Sequence, residues 1–262
     1  KIFYCVSKID LATWTIDKCW TTSSTPAFPS YLSNTSGVWW DAYRGDGHYV
    51  PVGHQNGVIS VLNGTADTIT TYAFYDFSAY GIAKNVTWTP TASGTMQIAK
   101  VWVDVATNRL YVALTRTYVY NVCLQVGWID LAAAGPTYTF TTIVSSTESG
   151  LTAEESAMGF GSGYGWMEVN TDAGLIIVSM EGVASDWKGK LRIYDLATGG
   201  LWKEYSVDSN PTFPYRGLKR GVWDDGLIVG DFTYEPLYGQ ADYRGLCIID
   251  TSTDVITYNR PS

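Results

Sequence analysis

Four acids follow a tryptophan at recurring places in the chain: Asp41 after Trp40, Asp104 in Trp102-Val103-Asp104, Glu168 in Trp166-Met167-Glu168, and Asp224 after Trp223. Carboxylates converging on one axis would hold a cation, or would work as an acid and base pair if two of them stood about 5 to 10 Å apart. Each of the four, however, closes an apolar run just before turn-forming residues, where an Asp side chain accepts backbone N–H bonds. Turn capping is the function this spacing favours. A second series, Asp10, Asn63, Asp130, Asp195 and Asp250, sits at comparable strand ends and is expected to do the same.

The other reactive residues form no recognisable constellation. His48 and His54 are the two histidines, and neither belongs to a Ser, His, Asp arrangement with a G-x-S-x-G elbow. Gly161-Ser162-Gly163-Tyr164-Gly165 is glycine-rich but lacks the lysine and following helix of a phosphate cradle. Four cysteines at 5, 19, 123 and 247 show no CxxC spacing, so no metal site and no cofactor are expected. Cys5 and Cys19 lie almost symmetrically about the first turn, and two packed thiols are the expectation there rather than a disulfide, whose geometry is narrow. Asn34, Asn63 and Asn85 open N-x-Ser/Thr sequons, a pattern that arises readily in a chain this rich in Ser and Thr.

The elements that position these residues repeat. An apolar strand ending in Asp or Asn, a short turn and a second strand recur five times, at Cys5–Asp10, Val58–Asn63, Val126–Asp130, Leu191–Asp195 and Cys247–Asp250. The closing Asx residues are 53, 67, 65 and 55 positions apart. Upstream of four of them lies a Trp-containing strand, a turn and another apolar strand, which makes four strands per unit. A recurring module of this length indicates a solenoid or a propeller. Strong β-formers bounded by Gly, Asn and Asp, apolar on both faces in mid-unit, favour an all-β propeller whose sheets are each covered by two others. Residues 151–160 are the one stretch with a helical character.

Val103-Asp104-Val105-Ala106-Thr107-Asn108-Arg109-Leu110-Tyr111-Val112-Ala113 and Ile249-Asp250-Thr251-Ser252-Thr253-Asp254-Val255-Ile256 resemble the YVTN-type β-propeller repeat, related in style to NHL and lactonase-like propellers. The resemblance implies fold across the whole chain and leaves function open. It gives a single β-propeller domain over residues 1–262 of about five blades, at about 1–22, 38–74, 97–144, 163–207 and 217–258. The first blade is incomplete, holding two strands of four. Lys1 falls inside an apparent strand with no leader before it, as expected of a processed product or a piece of a longer chain. The absent strands are then expected from sequence outside these residues or from another chain; strand in residues 81–100, which otherwise read as linker, and a four-bladed ring with an appended hairpin are the alternatives.

In such a fold the tight turns open on one side and the long connections on the other. The long set is aromatic, and the candidate binding residues are Tyr80, Tyr118, Tyr120, Trp187, Tyr215, Tyr234, Tyr238 and Tyr243. Tyr and Trp give large contact area at low entropic cost when a rigid scaffold presents them. The leading expectation is a non-enzymatic module that binds a protein or a carbohydrate, within an extracellular, cell-surface or virion assembly that includes other subunits. A lactonase- or glycoside-hydrolase-like enzyme and a purely structural assembly joint are the alternatives. The formal charge of −8 and the lack of a basic run argue against a nucleic-acid partner, and no apolar run reaches membrane-spanning length.

Overall fold

A computed structural model of the chain describes residues 6–20, 38–39, 49–54, 58–66, 68–73, 96–118, 121–132, 138–149, 166–180, 189–214, 217–234 and 243–259. In chain order the strands are β1 (Val6–Asp10), β2 (Thr15–Trp20), β3 (Val38–Trp39), β4 (Tyr49–His54), β5 (Val58–Asn63), β6 (Thr68–Ala73), β7 (Met96–Asp104), β8 (Arg109–Tyr118) and β9 (Asn121–Asp130). They continue with β10 (Thr141–Ser149), β11 (Trp166–Asn170), β12 (Leu175–Met180), β13 (Lys190–Asp195), β14 (Leu201–Ser206), β15 (Arg220–Asp224), β16 (Leu227–Tyr234), β17 (Tyr243–Asp250) and β18 (Val255–Asn259). Among the described residues, four sheets carry four strands each, in the orders β3-β4-β5-β6, β7-β8-β9-β10, β11-β12-β13-β14 and β15-β16-β17-β18, and a fifth holds β1 and β2. The fold is all-β, with no helix among the described residues: a β-propeller of four-stranded blades with an incomplete first blade. Residues 151–160 lie outside the described residues.

Burial explains the apolar runs. Leu191, Arg192, Ile193 and Tyr194 are successive in β13 and all buried, as are Trp166 to Val169 in β11, so both faces of these strands are covered. The outermost strand β14 is exposed at Leu201 and Trp202 and buried only at Tyr205 and Ser206. One face of β11–β14 meets β15–β18 across a continuous core of Trp166, Ile177, Leu191, Ile193, Tyr205, Phe213, Leu218, Ile228, Phe232, Cys247 and Ile249. The Arg192 guanidinium, buried on the opposite face of β13 from Leu191 and Ile193, is paired with its register partner Glu204 at 2.6 Å.

The chain divides into two compact units, one of Lys1–Trp88, Val101–Leu110 and Ile129–Phe140, the other of Thr89–Lys100, Tyr111–Trp128 and Thr141–Ser262. Within the first unit, Tyr72 of β6 donates its hydroxyl to the Leu131 carbonyl at 3.1 Å and stacks edge-on against Tyr138 at 5.4 Å. Within the second, β14 holds the turn after β17: the Lys203 ammonium bonds Thr251 O and reaches Asp254 at 2.6 Å, and Tyr205 donates its hydroxyl to the same carboxylate at 2.6 Å. A fourth strand thus carries the turn of the following blade in both units.

Cys19 is disulfide-bonded, which corrects the packed-thiol expectation for this residue. Cys19 is exposed in β2, so it gains none of the burial on which that expectation rested. Cys5 lies outside the described residues.

Candidate functional site

The blades have two chemically distinct ends. At the turn end, one Asx residue organises each turn after a third strand. Asp10 Oδ1 accepts the N–H groups of Ala12 (2.7 Å) and Thr13 (3.0 Å), and Asn63 Oδ1 those of Thr65 (3.0 Å) and Ala66 (2.9 Å). Asp130 Oδ1 accepts Ala132 N–H at 2.8 Å, Asp195 Oδ1 the N–H and hydroxyl of Thr198, both at 2.7 Å, and Asp250 Oδ1 the N–H (2.8 Å) and hydroxyl (2.7 Å) of Ser252. The fourth residue after the Asx adopts a left-handed backbone: Trp14 after Asp10 (φ 57°), Asn108 after Asp104 (φ 54°), Gly174 after Asn170 (φ 68°), Gly199 after Asp195 (φ 69°) and Asp254 after Asp250 (φ 58°). The cap and the left-handed residue together reverse the chain within four residues, which is why short sequences rich in Asp, Asn, Gly and Thr suffice here.

These bonds fix the protonation state of the acids. The Ser252 hydroxyl, with further bonds from Thr253, draws the Asp250 carboxyl down to about 2. The Thr198 hydroxyl lowers Asp195, the Thr13 and Ala12 N–H groups lower Asp10, and the Lys203 ammonium lowers Asp254. A carboxylate that accepts fixed donors stays ionised near neutral pH and does not serve as a general acid there.

Of the four acids that follow a tryptophan, Asp104 caps its turn as expected, accepting Ala106 N–H at 3.2 Å. Glu168 does not. It is buried and accepts the N–H of Trp223 at 3.1 Å, joining β11 to β15, while Asn170 caps the turn through Ala173 N–H at 2.8 Å. Asn170, not Glu168, occupies the position of Asp104, a shift of two residues that keeps the same strand face. Asp224 is exposed and caps nothing among the described residues; Asp225 (φ 41°) and Gly226 (φ 88°) make a two-residue hairpin turn beside it. Asp41 and His48 lie outside the described residues, and His54 ends β4.

At the other end, β16 runs from Leu227, opposite Asp250, to Tyr234, opposite Tyr243 of β17. Eight residues of strand span about 23 Å, so this tyrosine pair is a full blade length from the capped turns. Tyr118 is likewise the last residue of β8. Of the eight candidate binding residues, three therefore end or begin strands, and Tyr234 and Tyr243 are register partners. Tyr80, Tyr120, Trp187, Tyr215 and Tyr238 lie outside the described residues.

Two further aromatics stand at the turn end, outside the candidates that the sequence pattern marks. Trp202 is the extra residue of a β-bulge, since Lys203 pairs with Ile193 and Leu201 with Tyr194. It is half exposed, meets Trp223 edge-on at 6.4 Å and lies under the Lys203 ammonium at 5.5 Å. Trp14 is 78% exposed at a turn position that other blades fill with Gly, Asn or Asp. That mismatch of residue type and position was the available signal.

No protein-family model matches the sequence, and no curated protein is similar to it in sequence. Among solved structures the chain is similar to the β-propeller domain of the Trilobed protease from Pyrococcus furiosus, described as having an open velcro topology (TM-score 0.42, 13% identity, 82% of this chain and 54% of that one). It is also similar to the WD40 domain of SCAP from fission yeast (TM-score 0.44, 10% identity, 97% and 46%) and to an exo-beta-1,3-galactanase from Clostridium thermocellum (TM-score 0.43, 9% identity, 86% and 47%). The resemblance to β-propeller repeat proteins is one of fold. The chain spans about half the length of each of these three chains.

Proposed function

We propose that the protein is a binding module, a single propeller domain that recognises a protein or a carbohydrate through the long aromatic connections at the end of the blades remote from the capped turns. The observation that carries this reading is the Tyr234 and Tyr243 pair, which puts two aromatic residues opposite each other where β16 and β17 leave the sheet. Aromatic rings held on rigid strands anchor protein partners and stack on sugar rings alike. The engagement of the turn-end carboxylates in backbone and hydroxyl bonds supports binding over acid and base chemistry. An extracellular, cell-surface or virion assembly, with other subunits as neighbours, fits the low charge and the abundance of Ser, Thr, Gly and aromatic residues.

Tyr234→Ala with Tyr243→Ala tests the placement. Wild type and double variant are compared on a glycan array and against purified surface proteins by biolayer interferometry. The expected result is at least a tenfold loss of whichever interaction the wild type shows, the size of one lost aromatic anchor, with an unchanged melting temperature. A double variant that binds as wild type does overturns the placement.

A further inference from the structure

In every blade whose first turn is described, one backbone bond ties that turn to the turn after the third strand. The residue following the capping Asx donates its N–H to the carbonyl of a left-handed residue across the gap: Leu131 to Asn108 O at 3.0 Å, Leu196 to Gly174 O at 2.8 Å, Thr251 to Gly226 O at 2.9 Å. The three acceptor residues have φ of 54°, 68° and 88°. Burial accompanies the bond, complete at Thr251 and partial at Leu131 and Leu196.

The β1–β2 hairpin has the same capped turn, with Trp14 N–H closing onto Asp10 O at 2.8 Å, but β2 is the one strand paired with β1 among the described residues. Leu11 stands where Leu196 stands, inside an identical Asp-Leu-Ala-Thr, and is 73% exposed. The register partners Ile9 and Ile16 are exposed at 49% and 67%. Among the described residues, apolar side chains and a strand edge are therefore left open together, at the place that a second strand and its tight turn cover in the blades of β7–β10, β11–β14 and β15–β18.

We propose that the β1 edge is a docking site for a partner β-hairpin: two antiparallel strands joined by a tight turn whose left-handed Gly or Asn offers its carbonyl to the Leu11 N–H. The equivalent blade defines the occupant. β12 lies against β13 with Leu175 opposite Asp195, Ile176 opposite Tyr194 and Ile177 opposite Ile193. The incoming strand accordingly sets an apolar residue opposite each of Asp10, Ile9 and Lys8, and its turn closes over Leu11. An open strand edge supplies main-chain bonds for affinity and the exposed side chains set the register. A second copy pairing β1 with β1 would also make four strands, but its own turn carries no counterpart of Gly174 to meet Leu11. The site is at the turn end and is independent of the tyrosine pair proposed above.

The test uses the intact protein and a synthetic peptide with the sequence of residues 166–180, the β11–β12 hairpin of this same chain. Hydrogen exchange read at Val6–Leu11 is expected to slow on addition of the peptide, and a scrambled peptide is expected to leave it unchanged. Leu11→Pro, which the second position of a turn accommodates, removes the donor and lowers peptide affinity about tenfold, the size of one buried hydrogen bond. Gly174→Val within the peptide, which resists the left-handed backbone, weakens binding independently of how Leu11→Pro folds. No protection, equal protection by the scrambled peptide, or affinities indifferent to both substitutions would overturn the proposal. So would β1 protection that grows with protein concentration alone alongside a dimer mass, since that makes the occupant a second copy.

Discussion

Residues 10–13 and 195–198 are the same tetrapeptide, Asp-Leu-Ala-Thr, folded into the same Asx-capped turn and followed in each case by a left-handed residue. One copy is embedded in a four-stranded blade, with Leu196 tied to Gly174; the other projects Leu11 and Trp14 into solvent. Local sequence thus specifies the turn in both places. What differs is the second layer: whether a neighbouring turn is present to accept an N–H and cover an apolar side chain. Stability in this fold is consequently uneven, concentrated where each turn is held by its neighbours.

Substitutions at matched positions sharpen that contrast. The largest effect is expected at Gly199, the left-handed residue of the embedded turn: a Cβ there would overlap the Ile143 carbonyl oxygen, and the backbone conformation already penalises any side chain. Gly199→Ala should cost about 3 kcal/mol or more, whereas Gly174→Ala, left-handed but with open space around it, should cost only about 1 kcal/mol; urea denaturation measures both. Next comes Glu204→Ala, which removes the carboxylate paired with the buried Arg192 and is expected to cost about 2 kcal/mol, against at most about 0.5 kcal/mol for Lys18→Ala, which removes a cation from the Trp20 ring of the hairpin. Losing one cap in Asp195→Ala should lower the urea midpoint by less than Gly199→Ala or Glu204→Ala does, and global unfolding should barely register Asp10→Ala, whose effect appears instead as faster exchange within β1 and β2. Smallest and opposite in sign, Trp14→Gly relieves a left-handed backbone without removing buried surface, and should stabilise the hairpin by about 0.5 kcal/mol.

Acid should act on both turns together. Asp10, Asp195, Asp250 and Asp254 all have folded pKa values below the ordinary 3.8, with Asp250 at about 2. A depressed folded pKa means that the stabilisation is fully present above the unfolded value and is lost as pH falls through the folded one. The melting temperature should therefore be insensitive to these groups above about pH 5 and fall between about pH 4 and pH 2, a drop that Asp250→Asn should reduce.

The repeat was legible because the Asx caps are spaced by whole blades and because strands covered on both faces are apolar at successive positions, as Leu191 to Tyr194 are apart from a paired Arg192. The role of Glu168 was not legible. Its spacing from Trp166 matches that of Asp104 from Trp102, yet the two tryptophans are not equivalent, and the longer Glu side chain reaches the next blade's Trp223 N–H instead of its own turn. Trp202 was hidden for a related reason: a bulge breaks the alternation on which face assignments rest, and nothing in Leu201-Trp202-Lys203 announces it. The pairing of Tyr234 with Tyr243 required a register, which two tyrosines flanking a long connection do not supply by themselves.

Cys247 sits at the centre of the sheet interface, wholly buried, and that burial pushes its thiol up to about 12. Since the thiolate is the nucleophile, an alkylating reagent reaches this sulfur only when β15–β18 separates from β11–β14. The rate of its modification, read by mass on the peptide that carries Cys247, is therefore a built-in chemical clock for the opening of β15–β18.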